Sequence, residues 1–105
     1  MLVKRSSERE WAPSGIPGIE RSLFRNNDAG GRASVIRLEA GSRFPRHRHQ
    51  GTEEVLVLAG SVRISDEGLL AGDYLFTEAG EEHDVLALTD AILFVSSQKA
   101  TQIVE

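Results

Sequence analysis

The sequence predicts an all-β domain, either a β-sandwich or a closed barrel, and three observations lead to this fold class. About eight to ten short runs have strand character, such as 62–65, where Val62 and Ile64 alternate with Arg63 and Ser65. Turn-forming residues separate these runs at intervals of about eight to twelve residues. Apolar residues repeat at helical spacing over no more than two turns, so helices are not expected.

The first half of the chain contains several of these elements and the turns between them. Residues 1–10 are polar and are expected to form an arm or a first edge strand. Trp11 is expected to cover one end of the core. Strands are predicted at 19–24 and 33–40, on either side of the turn cluster 25–31.

The second half is dominated by the run 53–59, which carries apolar side chains on both sides. Such a strand is expected to be buried on both faces. In so short a chain a second subunit would cover one of those faces, and a homodimer is therefore expected. Further strands are predicted at 62–65, 69–71, 74–77, 83–88 and 91–97, with 101–105 pairing at an edge. Core positions are expected for the aromatic rings of Phe44, Tyr74, Phe76 and Phe94.

Size and charge limit the classes of function. The 105 residues are expected to form one domain, 1–105, with a small core. The net charge of −4 argues against nucleic-acid and anionic-membrane partners. The nearest approach to a basic cluster is formed by Arg43, Arg46 and Arg48, which are expected on a solvated strand face.

The absence of cysteine excludes disulfides, thiolate ligands and thiol nucleophiles. The charged N-terminal stretch has no apolar core of the kind found in secretory signals. No apolar run approaches the roughly 20 residues that a bilayer crossing requires. Together these features predict a cytoplasmic protein.

The three histidines of the chain suggest a metal site. His47 and His49 are two apart in a predicted strand, so both imidazoles point to the same face. Glu53 opens the next strand after a tight turn, and His83 is the third histidine. Three imidazoles and one carboxylate suit a divalent transition metal ion, and the donors do not discriminate among Fe, Mn, Zn and Ni.

Glu54 is the alternative carboxylate at this site. Glu53 shares a strand face with Val55 and Val57, whereas Glu54 points to the opposite face. Glu53 is therefore the preferred ligand, and Glu54 is expected at the surface or at an interface. The acidic residues around the third histidine, Glu81, Glu82 and Asp84, could hold its tautomer, but solvated loop carboxylates are the preferred interpretation.

Two motifs in 41–60 and 72–87 resemble those of the cupin superfamily, whose fold is the RmlC-like double-stranded β-helix or jelly-roll barrel. The first family motif is Gly, five residues, His-x-His, three or four residues, Glu, six residues, Gly, and it matches Gly41, His47, His49, Glu53 and Gly60. In the second, the positions of Gly72, Gly80 and His83 match. Glu78 stands where proline is usual, and Ala87 stands where asparagine is usual.

The sequence also resembles one branch of the superfamily, the cupin domain of ChrR-type anti-sigma factors and its free-standing relatives. Some of those relatives are dioxygenases that cleave diketones or hydroxyacetophenones. The His/Cys zinc domain of the anti-sigma factors has no counterpart in this sequence, so sigma-factor binding is not carried over.

Two hypotheses of function follow. The first is a metal-dependent enzyme with dioxygenase-like activity on a small oxygenated carbon compound, since two positions of a six-coordinate ion would stay open. The second is a non-catalytic module that binds a metal and a small ligand. An open, partly apolar cavity over the metal would favour the enzyme, and a filled barrel would favour the module. Triad-type nucleophilic catalysis is excluded, because no histidine remains for it.

Overall fold

The computed structural model describes residues 1–105 and consists of two antiparallel sheets, which confirms the predicted all-β class. The first sheet has six strands, in the order β1 (Ala12–Pro13), β2 (Ile19–Asn26), β3 (Arg32–Leu38), β10 (Ala91–Ser97), β5 (Glu53–Ala59) and β8 (Tyr74–Thr77). The second has five, in the order β11 (Thr101–Ile103), β4 (Arg43–His49), β9 (Glu82–Ala87), β6 (Ser61–Ile64) and β7 (Glu67–Leu70).

The core lies between the sheets and is built from alternate residues of the strands. In β5, Val55 and Val57 are buried, and they pack in one cluster with Leu93 of β10. Val62 and Ile64 of β6 enter the same cluster from the second sheet. Because side chains alternate along a strand, the remaining positions of β5 point out of the core.

The expectation that 53–59 is buried on both faces is wrong for the single chain. Leu56 is 36% exposed and Leu58 is 51% exposed on the outer face of the first sheet. Tyr74 and Phe76 on the neighbouring strand β8 are likewise exposed, so the prediction that these two rings lie in the core is wrong too. The composition of a run does not reveal whether anything covers its second face.

Of the two arrangements expected for residues 1–10, an arm or an edge strand, the strand is absent, and Trp11 differs from its prediction. Residues 1–10 form no strand, and Ser6–Glu8 make a single 3-10 turn. The ring of Trp11 does not line the barrel interior but lies against Arg37, whose guanidinium carbon is 4.2 Å from the ring centroid. This cation–π contact stabilises the position of the Trp11 ring outside the core.

The boundaries of the other strands agree closely with the sequence pattern. β5, β8 and β10 have the predicted bounds, whereas β2 runs to Asn26, into the predicted turn cluster. β11 pairs with β4 at the edge of the second sheet, as expected for the tail. The structure contains no helix of the length and apolarity that a membrane crossing requires.

Candidate metal centre

Strands from both sheets bring the four predicted side chains together. His47 and His49 lie on β4, and His83 on β9 is the direct cross-strand partner of His47. Glu53 opens β5 in the opposite sheet. One ligand atom from each of the four residues lies within 4.8 Å of the others, so the predicted convergence on one point is observed.

His49 is held between two oxygen atoms. Its Nδ1 is 2.9 Å from the backbone carbonyl oxygen of Glu81, and its Nε2 is 3.1 Å from Oε1 of Glu53. A carbonyl oxygen only accepts, so Nδ1 carries the proton and the Nε2 lone pair of the neutral ring faces a carboxylate oxygen. Two acceptors at this distance require a proton or a cation between them.

The electrostatics of the histidines follow from this arrangement. Burial lowers the pKa of His49, but its hydrogen bonds to Glu53 and to the Glu81 carbonyl outweigh burial and raise the pKa overall. Burial, together with the charges of His49 and His47, lowers the pKa of His83 to about 4. Burial also lowers the pKa of His47. Two imidazoles are thus neutral and ready to coordinate at neutral pH, and a positive charge is favoured beside Glu53.

The remaining imidazoles are positioned by the backbone and by each other. His47 Nδ1 donates to the carbonyl oxygen of Pro45 at 2.8 Å, which fixes its tautomer and leaves the Nε2 lone pair free to coordinate a metal. The ring of His83 meets His47 edge-on, with centroids 4.8 Å apart. These contacts orient three nitrogen donors and one carboxylate oxygen, the donor set that first-row divalent metals accept.

The loop before β9 supplies the group that orients His49. The His49 ring bonds to the backbone carbonyl of Glu81 and not to an acidic side chain. Its backbone N–H also donates to that carbonyl, and its carbonyl accepts from Gly80. Glu82 pairs instead with Arg46 and Arg48. No sequence pattern marked the Glu81 carbonyl, because a backbone acceptor has no residue signature.

Glu78, which occupies the usual proline position, contributes to this loop. Its backbone N–H donates to Oε2 of Glu81 at 2.6 Å, and its carbonyl accepts from the N–H of Glu81. A proline at this position has no N–H and could not make the first of these bonds. The turn is therefore held by these hydrogen bonds and not by the rigid pyrrolidine ring of a proline.

The three arginines beside the histidines are paired with acids on the outside of the second sheet. Arg43 bonds to Asp84 and Glu105, and Arg46 and Arg48 both pair with Glu82. All three guanidinium groups are partly exposed. This agrees with the predicted solvated face and leaves no free basic patch there.

A cavity of about 280 Å³ opens over three of the four side chains. His47, Glu53 and His83 line its floor, and its walls are mainly aliphatic. Phe44, expected in the core, packs against the core cluster and also lines this cavity. Arg21 and Arg32 also reach it, and no motif in the sequence marks them. The available signal was alternation, since Arg21 shares a strand face with the buried Ile19.

The sequence is similar to one known family and to a longer protein of a plant. The model of the family described as ChrR cupin-like domain matches residues 1–101. The DNA damage-repair/toleration protein DRT102 of Arabidopsis thaliana is 30% identical over 98 residues, which cover 87% of this chain and 31% of that protein. The chain thus spans about a third of the length of this curated relative.

Solved structures with the same fold include an acetylacetone dioxygenase from Acinetobacter johnsonii. It superposes with a TM-score of 0.84 and 16% identity, and the match covers 100% of this chain and 77% of that one. The complex of SigE with the anti-sigma ChrR from Rhodobacter sphaeroides gives a TM-score of 0.77 and 25% identity, over 90% of this chain and 51% of that one.

Proposed function

This chain belongs to the family of ChrR cupin-like domains, and we propose that it is a metal-dependent enzyme with dioxygenase-like activity on a small oxygenated carbon compound. His47, His49, Glu53 and His83 would hold one divalent transition metal ion. The observation that carries this proposal is the buried convergence of four donor atoms within 4.8 Å at the floor of a cavity.

The donor geometry fits a cation. The contact between His49 Nε2 and Glu53 Oε1 brings two acceptors together once Nδ1 has donated its proton to Glu81. A proton between these two acceptors resolves the conflict in the free protein, and a metal ion would resolve it by replacing the proton. Buried carboxylates are rarely left without a cationic partner. Here the three imidazoles surround the position beside Glu53 that such a cation would occupy.

The ion would supply a Lewis acid and, as iron or manganese, redox chemistry. The chain itself provides space for a reactant, holds the imidazoles in place and lines the cavity with apolar side chains. The Pro45 and Glu81 carbonyls hold His47 and His49 by their Nδ1 protons, which keeps the Nε2 atoms directed inward. The mainly aliphatic walls of the cavity lower the polarity of the space beside the donors.

The partly apolar cavity favours the enzyme over a purely structural metal site. A filled barrel would leave no position for a second reactant, whereas about 280 Å³ admits a small molecule next to the donors. The shared fold with an acetylacetone dioxygenase is in keeping with this proposal and names a class of compounds to test.

A second candidate function is a non-catalytic module that binds a metal and a small ligand. It is favoured by the family match and by the similarity to the SigE–ChrR complex. The two functions differ in whether a bound compound is consumed. Oxygen uptake by metal-loaded protein, screened against small diketones and phenolic ketones, is expected for the enzyme. Binding of such a compound without turnover or oxygen uptake would favour the module.

Metal analysis tests the site that both functions require. Protein purified without added metal is expected to contain about one transition metal ion per chain by elemental analysis. His49→Ala should abolish it, because the variant loses a central donor. Arg48→Ala is the matched control, since Arg48 lies between the two histidines of β4 but pairs outward with Glu82. Equal metal content in wild type and His49→Ala would remove the site assignment.

The proposed partners are limited to a small-molecule ligand and a second copy of the chain. The net charge of −4 and the ion-paired arginines of β4 support the absence of a nucleic-acid or membrane partner. A cytoplasmic location stays a prediction from the cysteine-free sequence.

A further inference from the structure

Two arginines outside the predicted metal site face the same cavity. Arg21 on β2 lies opposite Ile36, and both line the cavity wall. Arg32 begins β3, and its backbone N–H donates to Oγ of Ser97 at 3.2 Å. Ser97 in turn is the cross-strand partner of Glu53. The pairing of β3 with β10, and of β10 with β5, thus places Arg32 level with Glu53 across the sheet. This is the end of the cavity that holds the four donors.

Neither guanidinium has a partner within the protein. Arg21 and Arg32 make no salt bridge and no side-chain hydrogen bond, although Arg37, Arg43 and Arg48 are all paired with acids. Burial lowers the pKa of Arg21, the nearby charge of Arg32 lowers it further, and Glu53 acts in the opposite direction. Two like charges are therefore held near each other, one of them half-buried, without the anion that ordinarily compensates them.

The charges that line the cavity are unbalanced. Glu53 is the only acidic residue of the lining, and its carboxylate already contacts His49. A divalent ion at the four donors would add further positive charge to that of the two guanidinium groups. In a partly apolar cavity this field strongly favours an anion over a neutral molecule of the same shape.

We propose that Arg21 and Arg32 bind the carboxylate of a small organic acid, so that the site prefers an anionic oxygenated compound to a neutral one of the same shape. The planar guanidinium presents a fork of donors that matches a carboxylate. Ile36, Leu93 and Val95 offer an apolar wall for the carbon chain. The volume of about 280 Å³ lies at the lower end of the range for ligand pockets, which limits the acid to a few carbon atoms.

This inference rests on the proposed function, because the acid is taken to reach the metal donors. A matched pair of probes separates charge from shape. Acetoacetate and methyl acetoacetate share the same dicarbonyl skeleton, and only the first carries a negative charge. Calorimetric titration of metal-loaded protein is expected to show acetoacetate binding at least about tenfold more tightly than its ester.

Substitutions of Arg21 and Arg32 test whether these two residues cause the preference for acetoacetate over its ester. Arg21→Gln and Arg32→Gln should each weaken acetoacetate binding by on the order of tenfold or more, and should leave the ester and the metal content unchanged. Arg21→Lys keeps the charge and loses the fork, so it should fall between wild type and Arg21→Gln. Arg25→Gln is the matched control, since Arg25 lies on the same strand outside the cavity lining.

The outcomes distinguish this inference from the proposed function. Metal content is measured on the titrated sample, and a metal-free wild type after loading would contradict the proposed function and this inference with it. Metal-loaded protein that binds both probes equally, or neither probe, would overturn the anion inference alone. Unchanged acetoacetate affinity in both glutamine variants would do the same.

Discussion

Glu53 and Glu54 are adjacent in β5, and this one-residue offset gives two carboxylates different surroundings. Glu53 points into the barrel, where Oε1 lies 3.1 Å from His49 Nε2. Glu54 points outward and accepts a hydrogen bond from the Tyr74 hydroxyl at 2.7 Å. That hydrogen bond raises the pKa of Tyr74. The alternation of a single strand thus separates a candidate ligand from a surface group.

Exchanging each carboxylate for its amide tests this separation. Glu53→Gln should sharply weaken metal binding, because a neutral amide neither neutralises the ion nor holds His49 through an acceptor of equal strength. Glu54→Gln should leave metal affinity unchanged and move the pKa of Tyr74 back toward its ordinary value. Metal titration and ultraviolet titration of the phenol measure the two effects. Equal loss of metal affinity in both variants would contradict the assignment of Glu53.

At the scale of elements, the turn between β5 and β6 depends on Gly60. This residue has φ of +75°, and an added Cβ would collide with the carbonyl oxygen of Asp90. Gly41, just before β4, has a similar φ of +84°, but an added Cβ there would meet nothing within 4 Å. The two glycines therefore share the backbone requirement and differ in their neighbours.

Alanine at each glycine should show this difference. Gly41→Ala is expected to lower the free energy of unfolding by about 1–2 kcal/mol, the cost of a side chain in the left-handed region. Gly60→Ala should cost about 1–3 kcal/mol more, since the collision forces the hairpin and the segment before β10 apart. Denaturant unfolding monitored by circular dichroism measures both. A smaller loss for Gly60→Ala than for Gly41→Ala would contradict the steric argument.

The docking of β11 is coupled to the charge of Glu105. Its carboxylate accepts hydrogen bonds from Arg43 and from the backbone N–H of Arg46. The bond to Arg43 is the main cause that lowers the pKa of Glu105 below its usual 4.5. A depressed native pKa means that the contact stabilises the folded tail above pH 4.5 and is lost as the pH falls through the lower native value.

Nuclear magnetic resonance can follow this transition at the tail. The amide signals of 101–105 are expected to shift toward those of an undocked strand as the pH falls below 4.5, the usual value for this carboxyl group. In Glu105→Gln, which has no titrating side chain at this position, the step caused by the side-chain carboxylate should be missing. A tail that titrates identically in the two proteins would show that Glu105 does not couple pH to docking.

For the whole molecule, the main unexplained feature is the outer face of the first sheet. Leu56 lies directly opposite Tyr74, and Leu58 and Phe76 lie nearby on the same two strands. All four side chains are at least 36% exposed. Monomeric proteins rarely leave so many large apolar groups together on one surface. We expect a second copy of the chain to cover this face.

Light scattering should therefore report a dimer at micromolar concentration. Leu58→Glu is expected to shift the protein toward monomer, because it introduces a charge into the apolar contact. Leu70→Glu serves as the control, since Leu70 is exposed at 65% but lies on β7 in the other sheet. A monomeric wild type, or equal dissociation by both variants, would contradict an interface at this face.

The sequence by itself determined the strand bounds of β5, β8 and β10 and the four residues that converge. The strand bounds follow from a period of two, and the four residues follow from the resemblance of two motifs to those of cupins, both of which can be read along the chain. The tertiary structure decided that the outer face of β5 is exposed, that the Glu81 carbonyl holds His49, and that Arg21 and Arg32 share a cavity with Glu53. Each of these facts depends on which strands pair and what lies across the barrel, and residues distant in sequence set both.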